Sequence, residues 1–527
     1  MENTIRDILR RGARLQGQKV AVRFENESAV TYGELDRITN RLAAGLARLG
    51  IKKGSKVAFF LPNSLQLVFA WLATAKLGGI EVPINLANKG DFLSYIINNS
   101  ESTILFVADE LIERVKFVEK DLRSLKHVVV CSKSGTSALP DLGFATHHYD
   151  ELFSEGNDLP DVEVKKSDPF SMIYTSGTTG PSKGVLVPTG EAVMAATEYL
   201  HAMQCTREDV FFTCLPLFHA NAQLLCVLPA LISGNEAVIY ERFSAGKFWR
   251  QIRDARATVF NSLGAMSTFI FNQPVCEEEK DNPVRAVMAA PMPASIFDEF
   301  AERFELKIIE GYGLTETGMI TYNPWEAPVM GSCGKPTPNY EVKIFDEADN
   351  ELPPNSLGEI VVRAKAPYTM CLGYYGMPEK TVDAFRNFFF HTGDAGIIDE
   401  NGYLYFKDRM KDYIRRRGEN ISSFEVEQVV VNHPRVAECA AVGVTSEHGE
   451  DEVLVAVVPR DDEAIDTEEL MEWCIPRMPY FAVPRYVRFL DQLPKTPNEK
   501  IRKNILRETG VTRDTWDREA AGYSIRR

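Results

Sequence analysis

The sequence predicts an α/β protein with a large N-terminal domain of doubly wound α/β layers and a small β-barrel-like part, followed by a small α+β C-terminal domain. At 527 residues the chain is too long for one hydrophobic core, so two or more domains are expected. Apolar strand-like segments alternate with amphipathic helices in the N-terminal part, which is typical of doubly wound layers. After about Tyr340, pairs of strand-like segments separated by turn residues replace this alternation.

The N-terminal segment predicts a helix, followed by strand, turn, strand and amphipathic helix in "VAVRFENESAVTYGELDRITNRLAAGLARLG". Thr31 is a suitable N-cap, Glu34 lies at capping-box distance from it, and Gly50 ends the helix. "KVAFFLPNS" then predicts a strand, and a helix follows to Lys76. The apolar run "LVFAWLATA" in that helix has roughly half the length that a membrane span requires, which favours a buried helix.

The segments "TILFVAD", "HVVVCSK", "ATVFNSLG" and "LKIIEGYG" continue the strand pattern. Two later segments predict antiparallel hairpins with turns at Asp349–Asn350 and Asn401–Gly402. Beyond Arg409 a smaller set of strands and helices follows, and a hinge is expected near residues 409–412. We therefore expect an N-terminal domain over residues 1–408 and a C-terminal domain over residues 409–527.

Composition limits the function classes. The formal net charge of -15 argues against unspecific binding of nucleic acid or of an anionic membrane, because phosphate polyanions would repel the average surface. The nine cysteines show no C-x-x-C spacing, which favours a reduced, cytoplasmic setting over disulfides or a zinc site. The N-terminus has no apolar core like that of a signal peptide, so no targeting or transmembrane segment is expected.

The stretch "SMIYTSGTTGPSKGVLV", which begins at Ser171, combines an apolar strand with a loop rich in glycine and hydroxyl residues. A strand ending at Tyr174 would carry the loop to the carboxyl edge of a sheet, where α/β folds bind ligands. Backbone amides, hydroxyls and a lysine there would form a polyphosphate cradle; the alternative is a surface linker. The loop differs from the usual P-loop because Lys183 is followed by glycine. The residues of this cradle are Thr175, Ser176, Gly177, Thr178, Thr179, Gly180 and Lys183.

At this point the sequence resembles the adenylate-forming (AMP-binding) superfamily, which includes acyl-CoA synthetases, beetle luciferases and peptide-synthetase adenylation domains. The likeness rests on "YTSGTTGPSKG", "EGYGLTETG", "HTGDAGIIDENGYLYFKDR", "RRRGENISSFEVE" and "LPKTPNEKIRK", in the order that the superfamily has them. Within it, "ERFSAGKFWRQIRDARAT", "CLGYYGMPEKT" and "RRGENIS" most resemble crotonobetaine/carnitine–CoA ligases.

The resemblance implies how ATP is bound. Thr315 would contact the α-phosphate, and Glu316 would hold Mg²⁺ through a hard oxygen contact. Without its motif, Glu316 would be interpreted as a solvated acid in a loop. Tyr312 would stack on adenine, and Asp394 would accept hydrogen bonds from both ribose hydroxyls. The further ATP- or AMP-binding residues implied are Ala290, Pro291, Glu310, Gly311 and Arg409.

The C-terminal domain is implied to be mobile and to serve two half-reactions. Lys500 would place an ammonium between the substrate carboxylate and the α-phosphate during adenylation. The superfamily usually has glycine before this lysine, whereas this chain has Glu499, which puts the strength of adenylation in doubt. After rotation about a hinge at Lys411, a second set of residues would meet CoA. The CoA-binding residues implied are Arg415, Arg416, Arg417 and Gly418.

The acyl pocket is the least constrained prediction. "LPLFHANAQ" places His219 after an aromatic residue, as in the superfamily's acyl gate, although a lone histidine is more often structural. The further residues expected to line the pocket are Ser262, Gly264, Gly313 and Leu314.

These features predict an ATP-dependent, AMP-forming acyl-CoA ligase with Mg²⁺ as cofactor and ATP and CoA as co-substrates. Its partner is a small-molecule carboxylic acid, with a carnitine- or crotonobetaine-like betaine acid as one option; a homodimer stays open. A short- or medium-chain or aromatic acid–CoA ligase is the alternative, and a luciferase-like oxygenase shares the motifs. From another class, a non-catalytic nucleotide-binding relative also remains.

Overall fold

A computed structural model of the chain describes residues 4–25, 27, 29–132, 139–153, 159–175, 182–409, 413–416, 419–445, 451–460, 465–478, 480, 482–496, 500–523 and 525. The chain forms two compact units. The first comprises Met1–Val342, Val362–Phe390 and Asn401–Leu404, and the second comprises Lys343–Val361, His391–Glu400 and Tyr405–Arg527. The predicted domain boundary after residue 408 stays a prediction.

The strands of the described residues are, in chain order, β1 Val20–Phe24, β2 Val30–Thr31, β3 Lys56–Phe60, β4 Ile80–Pro83, β5 Ile104–Ala108, β6 His127–Cys131, β7 Ala145–His148, β8 Pro169–Thr175, β9 Lys183–Pro188, β10 Val210–Thr213, β11 Glu236–Ile239, β12 Val259–Leu263, β13 Ala286–Ala290, β14 Lys307–Leu314, β15 Gly318–Tyr322, β16 Lys335–Pro336, β17 Tyr340–Phe345, β18 Gly358–Ala364, β19 Phe390–Ile398, β20 Leu404–Arg409, β21 Tyr413–Arg416, β22 Glu419–Ser422, β23 Val436–Thr445, β24 Asp451–Pro459, β25 Tyr486–Phe489 and β26 Trp516–Asp517.

The α-helices of the same residues are α1 Ile5–Gln16, α2 Tyr32–Arg48, α3 Leu65–Lys76, α4 Gly90–Asn99, α5 Ile112–Val118, α6 Thr189–Ala202, α7 Ala220–Ala222, α8 Leu228–Ser233, α9 Phe248–Ala255, α10 Gly264–Phe271, α11 Phe297–Phe304, α12 Pro378–Ala384, α13 Ser423–Val431, α14 Thr467–Cys474 and α15 Lys503–Thr509. Between α7 and α8 the helix continues as a π-helix, Gln223–Val227.

Two large sheets organise the first unit. One has nine strands in the order β16-β15-β14-β13-β12-β10-β11-β1-β2, and the run from β14 to β1 is parallel. The other has seven strands in the order β7-β6-β5-β3-β4-β8-β9 and is parallel except for the last pair. Fully buried strands such as β5 show that helices cover both faces. The expected doubly wound α/β architecture is confirmed.

Local signals in the sequence explain several boundaries. Thr31 caps α2, and the reciprocal bonds with Glu34 form the expected capping box. The helix ends at Arg48, and Gly50 follows with a φ of +88°. The apolar run in α3 is a buried helix, as expected. Within the described residues, no helix combines the length and apolar character that a membrane crossing requires.

The chain passes between the two units within strands β17 to β20, which form a four-stranded sheet in that order. This sheet corresponds to the part expected to be barrel-like. Asp349 and Gly402 adopt positive φ values of +60° and +82° at the two predicted turns.

The second unit contains the hairpin of β21 and β22 and a sheet in the order β23-β24-β25-β26. Helices α13 and α14 contribute to its core, where Val426, Leu470 and Met471 are buried with Val453 and Val455 of β24. The end of the chain belongs to this unit, because β26 pairs antiparallel with β25.

Candidate active site

Three predicted pocket segments meet at one edge of the nine-stranded sheet. Strands β12, β13 and β14 run parallel, with Leu263 opposite Ala290 and Ala289 opposite Glu310. Their carboxyl ends therefore present the region of Ser262, the exposed Ala290–Pro291 step and the segment from Gly311 side by side. Such an edge is where open α/β sheets bind ligands.

The segment after β14 turns back as a tight hairpin. Gly311 opposes Tyr322 and Leu314 opposes Gly318, so Thr315 and Glu316 lie in the connecting loop. A Cβ at Gly313 would lie only 2.0 Å from the carbonyl oxygen of Gly318, so only glycine allows this approach of the two strands. The hairpin holds the predicted phosphate and metal residues just beyond the sheet edge.

Glu310 is buried beneath this edge. Its carboxylate accepts hydrogen bonds from the backbone N–H groups of Met292, at 3.1 Å, and Gly331, at 3.2 Å. Burial raises the pKa of Glu310 to about 7. The structure thus places this predicted nucleotide residue as a brace for the turn that contains Pro291.

The glycine-rich stretch joins two antiparallel strands of the seven-stranded sheet. Strand β8 runs parallel to β4 and ends one residue later than expected, at Thr175, which pairs with Lys183 at the start of β9. Thr175 therefore lies at the carboxyl edge, as expected. The predicted cradle residues Ser176, Gly177, Thr178, Thr179 and Gly180 lie outside the described residues.

A chain of contacts connects this loop to the acidic hairpin. The ammonium of Lys183 lies 4.5 Å from the centroid of the Tyr374 ring, a cation–π distance. The hydroxyl of Tyr374 donates a hydrogen bond to Oε1 of Glu316 at 3.1 Å. Burial, and then the carboxylate of Glu316, raise the pKa of Tyr374, so the phenol keeps its proton for this bond. Lys183 and Glu316, far apart in sequence, are therefore brought together.

Sequence reasoning missed Tyr374 and Glu191. Glu191, in the first turn of α6, is fully buried. Burial, and then the charge of Glu316, raise the pKa of Glu191 well above its ordinary value. The visible signal was a glutamate in an otherwise apolar first turn.

The predicted acyl-pocket segments carry polar contacts. His219 precedes α7, in which Asn221 accepts a hydrogen bond from Nδ2 of Asn261 at 2.8 Å. Nδ2 of Asn261 also donates to the carbonyl of Leu225, so its Oδ1 is oriented as an acceptor. This buried oxygen has no partner among the residues that the structure describes. Ser262, the next residue, contacts Ser267 at 2.7 Å.

The Asn221–Asn261 contact therefore brings the segments of His219 and Ser262 together. Asn261 was also missed from sequence, where an asparagine inside the apolar strand "ATVFNSLG" was the available signal. Of the other predicted pocket residues, Gly264 begins α10 and Leu314 opposes Gly318 within the hairpin.

The second unit holds the remaining predicted residues. Asp394 is buried in β19, and its backbone N–H donates to Oγ1 of Thr392. Oε1 of Glu359 accepts from the backbone of Gly393, and its other oxygen contacts His391 at 2.8 Å. These bonds hold the backbone that leads into Asp394, the residue predicted to bind ribose.

Lys500 is exposed, and the next residue, Ile501, forms an isolated antiparallel bridge with Lys495. Arg409 ends β20, and its side chain, like that of Arg415 in β21, lies outside the described atoms. Arg416 is buried, with Nε 2.6 Å from Oε2 of Glu452, rather than on an open basic face. Three further predicted residues, Lys411, Arg417 and Gly418, lie outside the described residues.

Comparisons with known proteins decide the family. Residues 9–375 match the family described as AMP-binding enzyme, and residues 425–500 match its C-terminal domain. The chain belongs to the AMP-binding enzyme family. The expected resemblance and fold are thereby confirmed.

Individual relatives agree with this membership. The crotonobetaine/carnitine–CoA ligase of Salmonella paratyphi B is 30% identical over 505 residues, which cover 94% of this chain and 97% of the relative. ATP-bound MatB from Rhodopseudomonas palustris superimposes with a TM-score of 0.85 at 26% identity, covering 97% of this chain and 99% of that protein. O-succinylbenzoate CoA synthetase (MenE) from Bacillus subtilis, in complex with ATP and magnesium ion, gives a TM-score of 0.81 at 25% identity, covering 94% and 98%.

Family membership and these relatives make the chain an ATP-using enzyme of the AMP-forming acyl-CoA synthetase type. The names of these relatives give different acids, although their sequence identities to this chain are similar, at 30% and 25%. The acid and the individual roles of the residues are therefore matters for proposal.

Proposed function

We propose that this chain joins ATP to a small polar carboxylic acid, releasing pyrophosphate, and then transfers the acyl group from the acyl-adenylate to CoA, releasing AMP. The observation that supports it most is the arrangement at the sheet edge. The ends of β12, β13 and β14 are adjacent, and the path from Lys183 through Tyr374 to Glu316 joins the phosphate loop to the acidic hairpin.

In the first step, a carboxylate oxygen attacks the α-phosphorus while the bond to pyrophosphate breaks. Charge increases on the phosphate oxygens, so fixed cations and donors lower the barrier. Lys183 would serve the leaving phosphates, and Thr315 would donate to the α-phosphate. The exposed ammonium of Lys500 is proposed as the cation that stabilises the crowded transition state.

The residues present fit a magnesium ion. Mg²⁺ is commonly held by one or two carboxylates together with substrate phosphates, and Glu316 offers a hard oxygen at the right motif. When bound, the ion would neutralise phosphate charge. The Tyr374 hydroxyl orients the Glu316 carboxylate.

The proposed nucleoside contacts are the residues that the motifs supply. Tyr312 would stack on adenine next to Ala290 and Pro291, whose turn Glu310 braces. Asp394 would accept hydrogen bonds from the ribose hydroxyls, with Arg409 as a second contact. In the second step the thiol sulfur of CoA attacks the acyl carbon and AMP leaves, with Lys411 as the hinge residue and the Gly418 loop as the CoA-facing segment.

A polar acid is favoured by the side chains around the predicted pocket. Asn261 and Asn221 are polar and joined by a hydrogen bond, and the buried Oδ1 of Asn261 is an acceptor that a substrate donor or cation would satisfy. Betaine acids like the substrate named for the Salmonella paratyphi B relative are one class that fits such a wall. Short- or medium-chain and aromatic acids are the alternative class.

A panel of acids tests the proposal. Trimethylammonium acids, short alkanoates and aromatic acids would be assayed for pyrophosphate release with and without CoA, and for a new thioester. We expect polar short acids to give the highest kcat/KM. Failure to form AMP and a thioester with any acid would refute ligase activity, and a preference for alkanoates would refute the polar pocket alone.

The variant Asn261→Leu tests whether this residue selects polar acids. Loss of the oriented acceptor should lower kcat/KM for the preferred polar acid about tenfold and leave that for alkanoates unchanged or higher. Asn272, exposed at the end of α10, provides a matched Asn→Leu control. An unchanged ranking of acids in Asn261→Leu would contradict the role of this residue.

A further inference from the structure

The last strand of the chain is connected to the predicted CoA-facing hairpin by a line of charged side chains within the second unit. β26 pairs antiparallel with β25, placing Asp517 opposite Tyr486 and Trp516 opposite Val487. This segment lies beyond the region 425–500 that matches the family's C-terminal domain.

Arg485 is the first connection. Its Nε and Nη2 donate to the two carboxylate oxygens of Asp517 at 3.2 and 3.1 Å, a bidentate pair. Its Nη1 lies 3.3 Å from the carboxylate of Glu519 and 3.9 Å from Oε1 of Glu452. One guanidinium thus connects the terminal strand to β24.

Glu452 is the second connection. Its Oε2 lies 2.6 Å from Nε of Arg416, and both side chains are only 5% exposed. Arg416 ends β21, where it pairs with Glu419 of β22. Because the pair is buried, substitution of either partner should be costly. The position of Arg416 therefore depends on Glu452, and that of Glu452 on Arg485.

The terminal segment is itself firmly held. The backbone N–H of Arg518 donates to the carbonyl of Arg485 at 2.9 Å, and the N–H of Glu519 donates to Oδ1 of Asp517. Trp516 packs against the hydrophobic core of the unit. Arg518 is buried, and burial together with the positive charge of Arg416 lowers its pKa, which agrees with close placement of the two guanidinium groups.

We propose that Asp517 is a positioning residue for the CoA half-reaction: through Arg485 and Glu452 it fixes Arg416, and with it the hairpin of β21 and β22 between whose strands Gly418 lies in sequence. The inference rests on the proposed function for its consequence at CoA. The coupling itself is a property of the second unit and is measured independently of any activity.

The test compares Asp517→Asn with Glu508→Gln, an equal charge change at an exposed position of α15. Asp517→Asn should raise KM for CoA about three- to tenfold, because one strong ion pair is lost at partly exposed side chains. Carboxylate-dependent pyrophosphate exchange should stay within about twofold of the unmodified protein. Glu452→Gln should likewise raise KM for CoA and leave pyrophosphate exchange within about twofold. In the double variant, KM for CoA should rise no further than in the more affected single variant.

Hydrogen exchange supplies the readout that needs no substrate. In the full chain, the amides of β21 and β22 should exchange at least about fivefold faster in Asp517→Asn and at the ordinary rate in Glu508→Gln. Unchanged exchange in the hairpin, or equal loss of both half-reactions, would overturn the inference. If no acid supports thioester formation while hairpin exchange responds as expected, the proposed function fails and the positioning by Asp517 stands.

Discussion

Tyr374→Phe tests the connection between the phosphate loop and the acidic hairpin. The substitution removes only the hydroxyl that donates to Glu316 at 3.1 Å and keeps the ring over which Lys183 lies. A hydrogen bond to a charged group contributes roughly 1.5–3 kcal/mol, and the partial exposure of Glu316 reduces this to about 1–2 kcal/mol. Since about 1.4 kcal/mol is a factor of ten, the adenylation rate should fall about five- to thirtyfold.

The assay is acid-dependent exchange of labelled pyrophosphate into ATP at limiting Mg-ATP. Thioester formation from a supplied acyl-adenylate should be unaffected, because that step does not use the oriented carboxylate of Glu316. Tyr375→Phe is the matched control, since its hydroxyl contacts Lys56 and Glu101 instead. Exchange within twofold of the unmodified rate, in a Tyr374→Phe variant that unfolds at the same temperature, would refute the reasoning.

The remaining predictions concern the lysines of the C-terminal part and a buried acid. Lys500→Ala should abolish pyrophosphate exchange but leave thioester formation from a supplied acyl-adenylate largely intact; equal loss of both would contradict its role. Lys411→Pro should impair thioester formation more than exchange, because a hinge residue loses its φ freedom; unimpaired CoA transfer would argue against a hinge. Burial raises the pKa of Glu81 from 4.5 to about 8, so its contribution to stability is complete below pH 4.5 and is lost as the pH rises to about 8. Glu81→Gln, which keeps the contact with Gln223, should therefore gain up to ~5 kcal/mol over the unmodified protein between these pH values in denaturant unfolding, whereas exposed Glu113→Gln should show no such gain.

Short-range signals account for what could be predicted from the sequence. The capping box of Thr31 and Glu34 acts within one helical turn, and the turns at Asp349 and Gly402 are indicated by residue types that tolerate positive φ. The alternation of strands and helices predicts the parallel order, and a parallel order places successive strand ends at one edge. The common location of Ser262, Ala290 and Gly311 follows from that rule alone.

Partners of buried charges could not be predicted, because they come from distant parts of the chain. Arg416 stands in a basic run that suggests an open anion-binding face, but it is buried against Glu452 of another strand. Glu310 belongs to a nucleotide-binding motif, but its carboxylate holds the backbone of Met292 and Gly331. In both cases the sequence shows the charged residue and the motif to which it belongs. The group that compensates the charge is determined by burial in the folded chain.

The residues proposed to bind ATP and the residue proposed to select the substrate differ in the same way: local sequence specifies the first, and burial determines the role of the second. Residues proposed for ATP, such as Thr315 and Glu316, lie on a tight turn whose backbone is specified locally. Asn261 lies inside a strand, where an unsatisfied buried acceptor is costly unless a ligand completes it. Such an acceptor would discriminate between acids, since a hydroxyl or cation on the acid would satisfy it and an alkyl chain would not. Substrate choice should therefore respond to Asn261→Leu with adenylation chemistry intact, whereas Tyr374→Phe should slow adenylation of every acid by the same factor.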